Sequence, residues 1–228
     1  MSDHAVFNTT YRAFLFDMDG TVLTSIAAAE RVWTTWAVRH GVDVERFLPT
    51  IHGARAIDTI TRLGLPGVDA EAEAKWVAEA EIEDVDGVAE VAGATGFLKS
   101  LPAHQWAIVT SAPRELALRR MAAAGITEPG VMVTAEDVTA GKPDPAGYRL
   151  AARRLGVEIG DCLVFEDANV GIQAAEAAGA DIVVITSTHE QPIQTRHATL
   201  ANYEAVEVRV ENDGLRLHAP TVGQCANQ

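Results

Sequence analysis

Cysteine, lysine and long apolar runs are what this chain has least of. Its two cysteines, Cys162 and Cys225, are too few for a disulfide framework, and Cys162 sits in an apolar run where a thiol reads as a small buried hydrophobe. No apolar stretch approaches the roughly 20 residues needed to span a bilayer. The start, residues 1–12, is polar and lacks the basic-then-apolar pattern of a secretion signal. A cytoplasmic protein with no membrane partner is expected. The seven histidines are scattered, with no H-E-x-x-H spacing, which argues against a zinc hydrolase. Positive charge is also short: the formal net charge of -14 repels polyanions and makes nucleic acid and anionic membrane surfaces poor candidate partners. A phosphorylated substrate would need local compensation. Only three residues are lysine (Lys75, Lys99 and Lys142), so a lysine in a distinctive setting is informative here.

What is present is a globular composition with short apolar runs at strand length. These are Ala13 to Phe16, Trp106 to Val109, Val131 to Val133, Cys162 to Phe165 and Ile182 to Ile185. Helical spacing fills the gaps between the later ones, at Glu115 to Ala124, Asp144 to Leu155 and Gly171 to Ala178. Strands alternating with helices predict an α/β fold, a doubly wound, Rossmann-like parallel sheet. Ile26 to Val91 is different, with three helical patterns (Ile26 to His40, Ala54 to Leu63, Ala70 to Glu83) and no strand signal. It reads as an all-helical domain inserted after the first strand, giving a core of 1–24 and 95–228 and an insert of 25–94. Near the end, Val206, Val208 and Val210 alternate with charge, Asn212-Asp213-Gly214 offers turn chemistry, and Leu215 and Leu217 resume the alternation, which predicts a C-terminal β-hairpin.

Chemistry concentrates where strands end. Asp17 and Asp19 follow the first strand in Asp17-Met18-Asp19-Gly20-Thr21, Thr110-Ser111 follow Val109, Lys142 lies in Gly141-Lys142-Pro143, and Glu166-Asp167 follow Phe165. Taken singly, each has a plain account: an Asp-Gly turn, a helix cap, a surface lysine, an acidic helix start. In a parallel sheet, however, these ends converge on one crevice. Four carboxylates gathered there repel one another and need a cation, and oxygen-only ligation points to Mg²⁺. Gly141-Lys142 lacks the flanking residues of a P-loop.

These four motifs, in this order, resemble the haloacid dehalogenase-like hydrolase superfamily in its helical-cap branch. More closely, Trp106 to Ser111, His52-Gly53 with Arg55, and Thr134 to Val138 followed by Gly-Lys-Pro-Asp-Pro are similar to sugar-phosphate, hexitol-phosphate and glycerol-3-phosphate phosphatases. The resemblance implies a nucleophilic Asp17, with Asp19 as general acid and base. It implies that Thr110, Ser111 and Lys142 bind the phosphoryl group. A Mg²⁺ ion would be held by Asp17, Asp19 through its backbone carbonyl, Asp167 and Glu166, the last directly or through water. Arg55 and His52 on the cap would read the rest of a small phosphorylated metabolite. A monomer is expected, with a dimer as the alternative. Thr24 and the pair Asn169-Val170 depart from the family pattern at positions that bear on hinge or cap packing.

Rival activities within this fold leave different marks. A dehalogenase would lack the second acid, Asp19, and a phosphonate hydrolase would need a cap lysine in a supporting motif, which Lys75 lacks. A sugar phosphomutase would carry His where Ala29 stands, and Ser and Lys where Ala112 and Pro113 stand. A non-catalytic binding protein would not need every ionisable group. On the first cap helix Trp33 and Trp36 share a face, and packing within the cap is the favoured reading over a wall for the substrate. For Arg55, the plain reading is a surface pair with Asp58.

Overall fold

The computed structural model describes residues 6–189, 193–211 and 214–218. β1 (Thr10–Tyr11), β2 (Ala13–Phe16) and β3 (Leu23–Thr24) come first. Four helices follow: α1 (Ile26–Arg39), α2 (Val44–Phe47), α3 (Ala56–Leu63) and α4 (Ala70–Glu83). The chain returns through β4 (Ala89–Glu90) and α5 (Ala94–Ser100). Then β5 (Trp106–Val109), α6 (Arg114–Ala123), β6 (Met132–Val133), α7 (Ala146–Leu155), β7 (Cys162–Glu166), α8 (Asn169–Ala178) and β8 (Asp181–Ile185) alternate, ahead of β9 (Ala198–Leu200), β10 (Glu207–Glu211) and β11 (Gly214–His218).

Six strands form one parallel sheet in the order β6-β5-β2-β7-β8-β9. β2 lies between β5 and β7, so the connections depart to opposite sides of it, and the crevice at its carboxyl end is where such sheets take ligands. Every residue of β2, β5 and β7 is buried, as a sheet covered on both faces requires. Alternation along β2 sorts side chains by size. Phe14 and Phe16 join Phe97, Phe165 and Tyr203 on one face, each buried ring contributing about 1.5–3 kcal/mol. Ala13 and Leu15 face the other side, where Ala151, Ala152, Ala174 and Ala175 of α7 and α8 pack against them.

Helices α1 to α4 have a separate apolar cluster built from Val32, Trp33, Trp36, Ala37, Phe47, Ile51, Ile60 and Val77. Gly41 and Gly64, with φ of 66° and 59°, supply the left-handed residues that stop α1 and α3. Asp69 caps α4 by accepting from the backbone N–H groups of Glu71 and Ala72. One expectation fails here, since the stretch Ile26 to Val91 does contain a strand. β4 pairs antiparallel with β3 (Leu23↔Glu90, Thr24↔Ala89), and two residues are too few to show any periodicity.

The C-terminal hairpin is formed by β10 and β11, and β11 also pairs with β1. Its turn residues Asn212 and Asp213, like Cys225, lie outside the described residues. Leu215 and Leu217 complete the aromatic face of the core. Among the described residues no helix is long and apolar enough to cross a membrane.

Candidate active site

A cavity of about 850 Å³ opens between the sheet and the four helices. Its floor is laid by strand ends. Asp17 follows β2, and its backbone N–H donates to Phe165 O of the neighbouring strand at 2.9 Å, which fixes where the side chain starts. Beneath it lies Lys142, whose Nζ donates to Asp17 Oδ1 at 2.5 Å and to Glu166 Oε1 at 2.6 Å. Glu166 is wholly engaged: Tyr148 also donates to Oε1 at 3.0 Å, and Oε2 accepts from the backbone N–H groups of Asp167 (2.8 Å) and Ala168 (2.9 Å). Thr21 donates to Asp167 Oδ1 at 3.3 Å.

Two glycines make room for these carboxylates. A Cβ on Gly20, which has a φ of 92°, would come within 2.0 Å of Asp167 Oδ2, and one on Gly171 within 1.5 Å of Glu166 Oε1. Gly20 was legible as part of the first motif. Tyr148 and Gly171 were not, because a buried Tyr on a helix and a Gly in a helical first turn look like ordinary packing.

The floor holds more negative charge than Lys142 can balance. The Asp17 carboxyl is raised to about 7, by burial first and by Glu166 and Asp19 after it, against the pull of Lys142. Asp167 is raised well above the ordinary carboxyl range, first by burial and then by Glu166 and Asp17. For Lys142, burial works against the charge, but the carboxylates outweigh it and hold the ammonium protonated. One carboxylate oxygen from each of Asp17, Glu166 and Asp167 lies within 4.8 Å of the others, and all three residues are buried. Such a donor set suits a hard divalent cation. Since Glu166 already accepts four hydrogen bonds, Asp17 and Asp167 are the better placed ligands.

Asp19 stands at the edge of this floor. Its Oδ1 accepts from Ser25 Oγ at 2.6 Å and from Arg120 Nη1 at 3.0 Å. Ser25 is the N-cap residue of α1, yet its hydroxyl turns to Asp19 instead of capping the helix. Thr110 is buried at the cavity, and its hydroxyl accepts from the Ala112 N–H at 3.0 Å. Asp17, Asp19, Thr110 and Asp167 thus meet at one cavity, with Lys142 and Glu166 just beneath.

The outer expectations fare differently. Ser111 lines the cavity, but its hydroxyl donates to Gly53 O at 2.8 Å and so ties the cap loop to the core. Arg55 is turned away from this cavity. Its Nε and Nη2 grip Asp58 at 2.7 and 2.9 Å, and Nη1 and Nη2 donate to the carbonyls of Val138 and Thr139, both at 3.2 Å. Arg55 thus links the start of α3 to the loop leading to Lys142 and does not line this cavity. His52 does line the cavity, with Nε2 4.0 Å from Glu30 Oε1, and burial lowers its pKa. Trp33 and Trp36 pack with Phe47 inside the cap, as favoured, and Trp33 lines the cavity as well. The two family departures also sit at cap contacts: Thr24 is in β3, and a Cβ on Gly53 would meet Val170 Cγ2 at 2.9 Å. His189 and Arg120 were missed altogether, and both line the cavity.

Comparison with known proteins agrees with these motifs. A family model described as haloacid dehalogenase-like hydrolase matches residues 11–179. Hexitol phosphatase A of Escherichia coli (strain K12) is 38% identical over 185 residues, which span 79% of this chain and 86% of that protein. 2-Deoxyglucose-6-phosphate phosphatase 1 of Saccharomyces cerevisiae is 34% identical over 200 residues, spanning 78% and 81%. Among solved structures, a hydrolase from Pseudomonas syringae superposes with a TM-score of 0.70 at 27% identity, covering 78% of this chain and 85% of that one.

Proposed function

The chain belongs to the haloacid dehalogenase-like hydrolases, and from that premise we propose that it is a phosphatase for a small phosphomonoester of a sugar, sugar alcohol or glycerol. The observation that carries the reading is Asp17 at the floor of a large cavity, with Lys142 against one of its oxygens and Asp19 beside it. Asp17 attacks phosphorus and forms an aspartyl-phosphate, and Asp19 protonates the departing ester oxygen. Asp19 then takes a proton from the water that hydrolyses the intermediate. Lys142 and Thr110 balance and orient the phosphoryl oxygens, since phosphoryl transfer is mostly a matter of positioning and charge neutralisation. Mg²⁺ would be held by Asp17, Asp167 and the Asp19 carbonyl, with Glu166 behind them. When bound, it would supply the positive charge that keeps Asp17 ionised and offsets the phosphate. Segment 25–94 serves as the cap that shields the reaction from water.

Hydrolysis is preferred over phosphomutase chemistry because Ala29, Ala112 and Pro113 all line the cavity and offer nothing to grip a second phosphate. A binding protein without activity would have no use for the full set of ionisable groups. The substrate is taken to be a soluble metabolite met in the cytoplasm by a monomer. The test is phosphate release from a panel of sugar, hexitol and glycerol phosphates, with and without Mg²⁺. Turnover should require the ion, and Asp17→Asn should lower it by at least about 10³-fold while leaving the thermal midpoint intact. Label from a phosphorylated substrate should be trapped on Asp17. Substantial turnover by verified Asp17→Asn protein, or an isomerised sugar phosphate in place of inorganic phosphate, would overturn the assignment.

A further inference from the structure

Arg120 lies on α6, outside all four motifs, with a side chain only 7% exposed. It joins carboxylates from opposite walls of the cavity. Nη1 donates to Asp19 Oδ1 at 3.0 Å, and Nη2 lies 3.1 Å from Oε1 of Glu81 on α4. The Nη2–Glu81 contact is a close ion pair, and Nε has no hydrogen-bond acceptor among the described residues. Burial works against the Arg120 charge, and Asp19 and Glu81 more than offset it. Glu81 itself is pushed up by burial and only partly drawn back by Arg120.

The contact with Asp19 falls on a particular oxygen. Ser25 and Arg120 both donate to Oδ1, whereas Oδ2 takes no hydrogen bond from the described residues. A carboxyl anchored through one oxygen by two donors keeps its orientation and leaves the other oxygen for the substrate. Ser25 precedes α1, Arg120 belongs to α6, and Glu81 belongs to the helical segment over the cavity. The second counter-ion of Arg120 is present only where α4 sits against α6.

We propose that Arg120 is a positioning residue which, paired with Glu81, fixes Asp19 for proton delivery when the cap is seated on the core. The inference rests on the phosphatase reading above. It makes the proton donor, and not only the shape of the cavity, depend on cap position.

The leaving group separates positioning from general structural support. An alkyl phosphate needs a proton on its departing oxygen, whereas p-nitrophenyl phosphate expels a stable phenolate without one. Both are assayed with Mg²⁺, using the alkyl phosphate turned over fastest in the panel. Arg120→Met should lower kcat/KM for the alkyl ester by about 10- to 100-fold, within the range contributed by a placed general acid. On p-nitrophenyl phosphate the loss in kcat/KM, which covers only the steps up to formation of the aspartyl-phosphate, should stay under about 3-fold, because departure of the phenolate needs no proton from Asp19. Arg120→Lys should recover part of the alkyl activity. Glu81→Gln should show the same selective loss on a smaller scale, and the double variant should be no worse than Arg120→Met alone. Arg120→Met strips two carboxylates of their counter-ion, so melting curves accompany every variant. If it does not fold, Glu81→Gln decides the matter, since it keeps the Asp19 contact. Equal losses on both esters, or no loss on either, would overturn the positioning role while leaving the phosphatase assignment standing. Wild-type protein that releases phosphate from neither ester would overturn both.

Discussion

The floor and the roof of the cavity are built in different ways. On the floor, Asp17, Glu166 and Asp167 leave the ends of adjacent parallel strands whose backbones are bonded to one another, and Lys142 bridges Asp17 to Glu166. Lys142 offsets only part of the negative charge there, and burial still raises Asp17 and Asp167. On the roof, Glu30, His52, Arg62 and Trp33 are placed by helices packed around their own small core. Polar links between the two walls run from Arg55 to the carbonyls of Val138 and Thr139, from Ser111 to Gly53, from Arg119 to the Ile82 carbonyl and from Arg120 to Glu81, beside apolar packing of Ile82 and Val85 on the main core. The floor is therefore rigid, while the roof takes its shape from a separate small core of its own.

The strongest challenge to a rigid floor is Gly171→Ala. The added Cβ would overlap Glu166 Oε1, so the carboxylate and the Lys142 contact must shift. Turnover should fall by about 10²-fold and stability by about 1–3 kcal/mol, read by phosphate release and thermal melting. Full activity in this variant would mean that the floor is as pliable as the roof.

Arg55→Ala probes the link between the walls. Its donors serve Asp58 and the loop before Lys142, so kcat/KM should drop by about 10-fold, and in the same proportion for a sugar phosphate and an aryl phosphate. A loss confined to the sugar phosphate would return Arg55 to the role its sequence context suggested.

The smallest effect is expected at Asp137, a carboxylate near the floor but outside it. The Arg154 guanidinium, with help from the backbone N–H and hydroxyl of Thr134, lowers its pKa from 3.8 to about 2. A depressed carboxyl stabilises the fold above its ordinary value and loses that contribution as pH falls through the folded one. Partial exposure reduces the gain to about 1 kcal/mol. Asp137→Asn should melt a few degrees lower than wild type at neutral pH, and the gap should close between pH 4 and 2. A gap that persists at pH 2 would show that shape, not charge, is what Asp137 provides.

The sheet and the floor could be read from the sequence because both depend on local pattern. An apolar run such as Ala13 to Phe16 announces a buried strand, and a carboxylate directly after it has nowhere to go but the crevice. The helices closed by Gly41 and Gly64 were equally plain. Contacts that depend on distant segments coming together were not. Arg120 and Glu81 are unremarked members of helical runs until α6 and α4 meet, and Arg55 could be assigned to a helix start but not to a direction. β9, β4 and α5 escaped notice because two to seven residues are too few for a period to show.

The two-residue ribbon formed by β3 and β4 has a wider consequence. Because Leu23 pairs with Glu90 and Thr24 with Ala89, the chain leaves for the helical segment and comes back at the same place. To the sheet, everything from α1 to α4 is a single loop whose ends are already joined, and lengthening such a loop costs only about 0.6 kcal/mol per doubling. The helical segment thus leaves and rejoins the sheet at a single seam.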